Sequence, residues 1–425
     1  MKQFKNTIFR FFFIYFLLTI APWTLLSFIP GISNLIDWYT KAFQWLVFRC
    51  NDWFLHVKNT LNLEGYGSGD TSYAWAEFYT ILIISVVLAL FWTFIKRKRN
   101  DAPALSYWLL TLIRYNIAMV AFSYGFIKLF ALQMPFPSLS QLATPLGDFL
   151  PMRLCWMHIG YSVPYQTFSG VMEIIVGVLL LYRRTIPLGL LVGLGVFINV
   201  FVLNLSYDIP VKLFSMQLMI GCLFLVVWDS KYYLDIFVLN KTTTPISSYN
   251  FIYTKKWQRM GRYVLKVVFI IAGVGLSFYQ AWGWYQEDQI VEKSPIKQGV
   301  YSIKTFKKNN QLLPIVANDT LVWKDFIFDK GGNGSITTRD TLFDVKYGRG
   351  YFAYTADKQK QTIAFKTTPA DSTTLFVMNY KVIDSKTIQL QGKVKKDTLF
   401  YELLRNEKQF PLAERQFHWI SEANR

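Results

Sequence analysis

Cysteine is scarce in this sequence. Cys50, Cys155 and Cys222 are the only three in 425 residues, and none forms a CxxC pair, which excludes a thiol–disulfide exchange motif. Acidic residues are also few, with 27 Asp and Glu against 45 Lys and Arg, for a formal net charge of +18. The Gly-rich loop at 62–74, NLEGYGSGDTSYA, lacks a phosphate-loop pattern. The polar C-terminal third has no metal-ligand cluster, no Ser-His-Asp set and no nucleotide loop.

What is present is long apolar sequence. Hydrophobic residues make up 52% of the chain and fall into seven runs, at 8–29, 75–95, 106–131, 168–182, 186–205, 211–229 and 264–283. Each is near the ~20 residues that cross a bilayer as a helix. The first is longer than the apolar core of a signal peptide and no small-x-small site follows it, so it reads as a helix.

The positive charge follows this pattern, which sets aside nucleic acid as its explanation. In a polytopic protein Lys and Arg collect on the cytoplasmic side, because positive loops resist translocation. With the N-terminus inside, sixteen fall inside, at 2–10, 96–99, 183–184 and 231–266, against five outside: Lys41, Arg49, Lys58, Arg153 and Lys212. Seven spans then place the C-terminal tail outside. Cys50 and Cys155 share the outer side, so a bridge between them stays open, whereas Cys222 lies in an apolar run and packs as a small hydrophobe.

Residues 34–61 alternate apolar and charged positions at roughly helical spacing. They read either as a helix in the outer interface or as one packed on the bundle. Residues 132–167 form the longest loop within the bundle. Five prolines there prevent a long helix, and its aromatics suggest a fold back against the membrane, as a lid or binding surface. From Val300 onward, runs such as TLVWKDFIFD, GYFAYTA and TTLFVMNY alternate with a period of two between turns such as GGNG. This predicts about eight antiparallel strands over 298–425. The terminal QFHWISEANR is expected to close the sheet, with a binding edge as the other reading.

Ionisable residues at membrane depth are costly unless paired or wet. Arg114, Tyr124 and Lys128 lie on one side of the third run, and Glu173 lies on the fourth. Asn204, Tyr207, Asp208 and Lys212 lie at the end of the fifth and start of the sixth. All but Arg114 fall at roughly one depth in the outer half. They read either as an outward-opening polar site for a small polar or quinone-like headgroup, or as structural pairs, Lys128 with Glu173 and Asp208 with Lys212.

The patterns RYNIAMVAFSYGFIKLF, GVMEIIVGVLLLYRRT and NV…LN…YDIPVKL in residues 106–229 resemble the DoxX-like family of bacterial membrane proteins. The resemblance covers under a third of the chain. It implies a four-helix membrane bundle of a kind linked in some members to thiosulfate or sulfide oxidation, quinones and oxidative-stress complexes. It also implies a candidate set of Arg114, Lys128, Glu173, Asp208 and Lys212, and a bacterial inner membrane with the periplasm outside. Paired membrane cysteines are missing, which argues against a vitamin-K-reductase-like thiol mechanism.

The expectation is therefore a polytopic α-helical membrane protein of about seven transmembrane helices plus a C-terminal all-β antiparallel domain. Two helices and an interfacial helix occupy 1–105 and a DoxX-like core occupies 106–229. A basic cytoplasmic segment and seventh helix occupy 230–297, and a periplasmic β domain occupies 298–425. One functional reading is a membrane subunit of a quinone-linked or stress-related redox assembly. Another is a non-enzymatic scaffold that presents the β domain to a periplasmic protein partner. A transporter is disfavoured by the lack of an evident inverted repeat or broken-helix pair.

Overall fold

The computed structural model describes residues 2–27, 29–63, 69–96, 102–244, 246, 253–290, 294–314, 323–338, 340–369, 371, 373–415 and 417–420. The chain forms two compact units. One comprises Met1–Gln133 with Pro164–Gly283, and the other Met134–Val163 with Trp284–Arg425. In chain order the helices are α1 (Lys2–Ile20), α2 (Ile32–Cys50), α3 (Ser72–Ile95), α4 (Ala102–Leu129), α5 (Leu139–Leu142), α6 (Pro151–Tyr161), α7 (Val163–Leu181), α8 (Ile186–Ser206), α9 (Lys212–Trp228), α10 (Ser230–Phe237), α11 (Lys256–Val268), α12 (Leu276–Gln289) and α13 (Pro411–Glu414).

Within the first unit, Lys5–Leu26, Ser72–Ile95, Pro103–Leu129, Val163–Leu181, Ile186–Ser206 and Lys256–Gln289 are long and apolar enough to cross a membrane. The last of these runs on past Gly283, where the unit ends. α9 and α10 meet at a bend of 74° and give a seventh crossing if counted as one span. Each apolar run in the sequence is thus largely helical over its described residues. Leu90, Phe91 and Phe94 of α3 are exposed, as are Val264, Leu265, Val267 and Val268 of α11. Faces of this kind call for a bilayer rather than water as solvent.

Local chemistry sets the helix ends. The Thr71 hydroxyl caps α3 by accepting from the Ala74 N–H at 3.1 Å. At the other end of α3, the buried Arg10 guanidinium donates to the Thr93 hydroxyl at 3.0 Å and to the Lys96 carbonyl at 2.7 Å. Arg10 therefore ties α1 to α3 and satisfies a helix-terminal carbonyl, besides belonging to the basic N-terminal segment. α2 is shorter than the sequence pattern suggests. It passes into a π-turn at Asn51–Leu55 and stops at His56, which is left-handed with φ of 47°. Leu35, Trp38 and Trp45 on α2 are exposed, which fits an interfacial helix with its aromatics at headgroup level.

The second unit is an antiparallel barrel. Its strands are β1 (Gly299–Lys308), β2 (Gln311–Leu312), β3 (Asp325–Phe328), β4 (Asn333–Ile336), β5 (Asp344–Lys346), β6 (Arg349–Asp357), β7 (Thr362–Lys366), β8 (Thr374–Val382), β9 (Thr387–Val394) and β10 (Asp397–Asn406). They run in the order β10-β9-β8-β7-β6-β4-β3-β1-β2, and β5 pairs with β6. β1 pairs with β10 along its whole length, from Val300 opposite Asn406 to Lys308 opposite Leu399, and this closes the barrel. Alternate residues point inward. Trp323 stacks on Tyr401, with ring centroids 5.2 Å apart and 7° between planes, and on Phe376 at 5.8 Å. The interior is therefore filled by side chains, many of them aromatic, as a barrel of this size requires.

Ten strands form among the described residues where about eight were expected, and two further details differ from the sequence reading. The GGNG stretch is only half a turn: Gly331 and Gly332 take left-handed φ of 73° and 68°, but β4 begins at Asn333. Gly334 belongs to that strand, paired with Phe328 and Phe352, and must be glycine because a Cβ there would lie 2.4 Å from the Ile327 carbonyl oxygen. The barrel is closed by β10, and of the terminal QFHWISEANR only residues 417–420 are described, outside any strand, the rest lying outside the described residues. Phe417, Trp419 and Ile420 lie beyond the strands and are 76%, 91% and 80% exposed.

The Pro-rich loop packs with the barrel. Leu139, Leu142 and Ala143 pack on Val300 of β1, Ile327 of β3 and Phe410 just before α13. Beneath them the Ser140 hydroxyl donates to Asp329 Oδ2 at 2.5 Å, and the Ser335 hydroxyl lies 2.6 Å from Ser140 Oγ. Arg349 Nε donates to Ser335 at 2.8 Å, and its two terminal nitrogens grip Asp325 at 2.9 and 3.1 Å. Burial pushes the Asp329 carboxyl above its ordinary range, against the pull of the Ser140 hydrogen bonds. Cys50, Cys155 and Cys222 carry free thiols, and burial pushes that of Cys155 up to about 11.

Candidate functional site

The candidate polar residues of the helical unit fall into three groups among the described residues. The first joins α4 to α7. Gly125 and Gly170 let the two backbones touch, since a Cβ on Gly170 would lie 2.6 Å from both the Gly125 carbonyl oxygen and the Leu129 nitrogen. Small residues at such crossings allow close packing where lipid supplies no hydrophobic drive. Three residues beyond each glycine stand Lys128 and Glu173. Lys128 Nζ donates to Glu173 Oε1 at 2.5 Å, with side chains 9% and 3% exposed. Glu173 Oε2 is buried without a hydrogen-bond partner. Lys128 also lies in the last turn of α4, where a cation complements the helix dipole.

The second group gathers where α8 turns into α9. Asn204 donates to the Ser215 hydroxyl at 2.9 Å, and Lys212 Nζ lies 2.7 Å from Asp208 Oδ1. Asp208 takes a left-handed φ of 49°, which Asp tolerates better than most residues. Its side chain is 82% exposed, so this pair contributes little. The stronger partner is Asp70, in the loop before α3. Its carboxylate accepts the backbone N–H of Lys212 at 2.7 Å and of Leu213 at 3.0 Å, and lies 3.7 Å from Lys212 Nζ. Asp70 thus caps the N-terminus of α9 from a distant part of the chain. The Tyr124 ring of α4 lies against Phe214 of α9 at 5.9 Å, and Tyr207 ends α8, half-buried.

Arg114 does not join Lys128. The two are fourteen residues apart on one straight helix, roughly 21 Å along the axis. Arg114 instead lines a cavity of about 1160 Å³ with residues of α7, α8 and α11. Its guanidinium lies over the Tyr115 ring at 4.7 Å. Nearby, the Tyr107 and Tyr253 hydroxyls are 2.9 Å apart. Burial and that hydrogen bond hold the Tyr253 phenol up at about 12, against the pull of Arg262 and Arg183.

Sequence reasoning found both ion pairs but missed Asp70, Gly125, Gly170 and the Tyr107–Tyr253 contact. The shared spacing of Gly125 to Lys128 and Gly170 to Glu173 was a usable signal for the crossing. Asp70 had none, because it sits in a polar loop 142 residues from its partner.

Comparison with known proteins adds little. The chain is 37% identical over 84 residues to the uncharacterized protein YwoB of Bacillus subtilis (strain 168), a match covering 20% of this chain and 54% of that protein. The chain therefore spans about half the length of this relative. No protein-family model and no solved structure matches.

Proposed function

We propose that this chain is a non-enzymatic membrane scaffold. The helical unit anchors a closed β barrel on the periplasmic side of a bacterial inner membrane, and the barrel engages a protein partner there. The observation that carries this reading is the Lys128–Glu173 pair. Two charges that a bilayer tolerates only when neutralised meet each other at a Gly–Gly crossing. Each holds the other, and together they hold α4 against α7. Asp70 serves α9 in the same way. The packed barrel interior leaves its outer surface for recognition.

One observation favours a second reading. Glu173 Oε2 is a buried acceptor without a hydrogen-bond partner, the kind of group that would receive a hydroxyl from a reduced quinone. Under that reading the DoxX-like core belongs to a quinone-linked or stress-related redox assembly.

Mass spectrometry of the protein purified in mild detergent separates the two. The scaffold reading expects no quinone in wild type or Glu173→Gln. A quinone held by wild type and lost from Glu173→Gln, with the protein still folded, would establish the redox reading instead.

A further inference from the structure

We propose that the cavity between α4, α7, α8 and α11 binds the anionic headgroup of a phosphate-bearing amphiphile. Arg114, Arg183, Arg184, Arg262 and Lys266 all line it, and no carboxylate does among the described residues. Like charges gathered against low-dielectric walls raise one another's free energy and draw in an anion. Arg114 is the deepest of them. It is 5% exposed and stands twelve residues into α4, roughly 18 Å along the axis. A cation held there is a functional signal in a membrane helix.

The donors point to phosphate. Guanidinium forks pair bidentately with phosphate and carboxylate oxygens. A planar carboxylate occupies one or two forks, whereas a tetrahedral phosphate presents oxygens to cations arriving from several helices. The tyrosine hydroxyls at the same end, with Tyr253 kept protonated, add neutral donors.

The rest of the lining points to an apolar chain on that phosphate. Leu112, Leu181, Leu265 and Phe269 share the wall with the cations. Leu265 is 64% exposed on a helix whose neighbouring apolar side chains are also exposed, so an acyl or prenyl chain can leave the cavity sideways into the bilayer. Lys266 Nζ donates to the Leu181 carbonyl at 3.1 Å, which fixes one cation at the junction of α7 and α11. A volume of about 1160 Å³ holds a headgroup and the start of its chains.

The test uses the full chain in detergent, delipidated against phosphatidylcholine. Native mass spectrometry then follows binding of phosphatidylglycerol, phosphatidylcholine and inorganic phosphate. The proposal expects wild type to prefer phosphatidylglycerol over phosphatidylcholine by about tenfold or more. The double change Arg262→Gln with Lys266→Gln should abolish the preference, and Lys96→Gln, outside the cavity lining, should keep it. Displacement of the lipid by millimolar inorganic phosphate would support the anion site with a water-soluble ligand. Resistance to displacement would support the lipid. Equal binding of both lipids by wild type overturns the proposal, and so does a preference that survives the double change or is lost in Lys96→Gln. If the double variant fails to fold, the wild-type preference together with Lys96→Gln decides the matter.

Discussion

Lys128 and Glu173 meet at 2.5 Å across the antiparallel crossing where α4 and α7 touch through Gly125 and Gly170. Each helix supplies a glycine that permits contact and, three residues on, a charge that requires it. Close packing and ion pairing therefore stand or fall together.

Gly170→Ala should break this joint without touching either charge. The new methyl would meet backbone atoms at 2.6 Å, which cannot move aside as a flexible side chain would. A loss of about 1–3 kcal/mol is expected, read as a lower melting temperature in detergent. Gly195→Ala on α8 has nothing within 4 Å of the added carbon and should be neutral or slightly stabilising.

The two carboxylates beside Lys212 should behave unequally. Asp70→Ala removes a buried cap from two backbone N–H groups and should cost about 1–2 kcal/mol. Asp208→Ala removes an exposed pair and should cost under about 1 kcal/mol. Chemical denaturation of the two variants side by side reads the difference.

Asp329 predicts a pH dependence for the barrel. Burial raises its folded pKa above the unfolded value, so the folded state binds more protons in the window between the two. Its stabilising contribution is complete below the unfolded pKa and is lost as pH rises through the raised value. Asp329→Asn should therefore flatten the stability profile in the mildly acidic range, from about pH 4 upward. Melting followed by aromatic circular dichroism would show it, because Trp323 and Tyr401 are stacked in the interior.

A compartment reporter fused after Arg425 tests the topology. Counting α9 and α10 as one span makes seven crossings, so the reporter should be active only outside the cytoplasm. Activity inside would reduce the crossings to six and move the barrel to the cytoplasmic side.

Much of this fold could be read from sequence because membrane helices and alternating strands carry strong periodic signals. Lys128, Glu173, Asp208 and Lys212 stood out because an ionisable residue in an apolar run is rare, and their pairing followed from depth and spacing. Other features depended on contacts distant in sequence. Ser140 meets Asp329 across 189 residues, and nothing in a Pro-rich loop announces that it will lie on β1 and β3. Arg114 shares a helix side with Lys128 but was already set apart from it by depth, and nothing in the sequence announced the cavity it lines. GGNG hid the start of β4 because its first two glycines do form a turn while Gly334 lies in the strand.

A double-mutant cycle on Lys128 and Glu173 tests the scaffold account most directly. Thermal unfolding would be measured for wild type, Lys128→Met, Glu173→Gln and the double variant in one detergent. Each single change should cost about 3–5 kcal/mol by leaving a polar partner buried alone, and the double variant should recover most of that loss. If Glu173→Gln melts like wild type, the charges do not hold the bundle together and the account of the pair as structural is wrong.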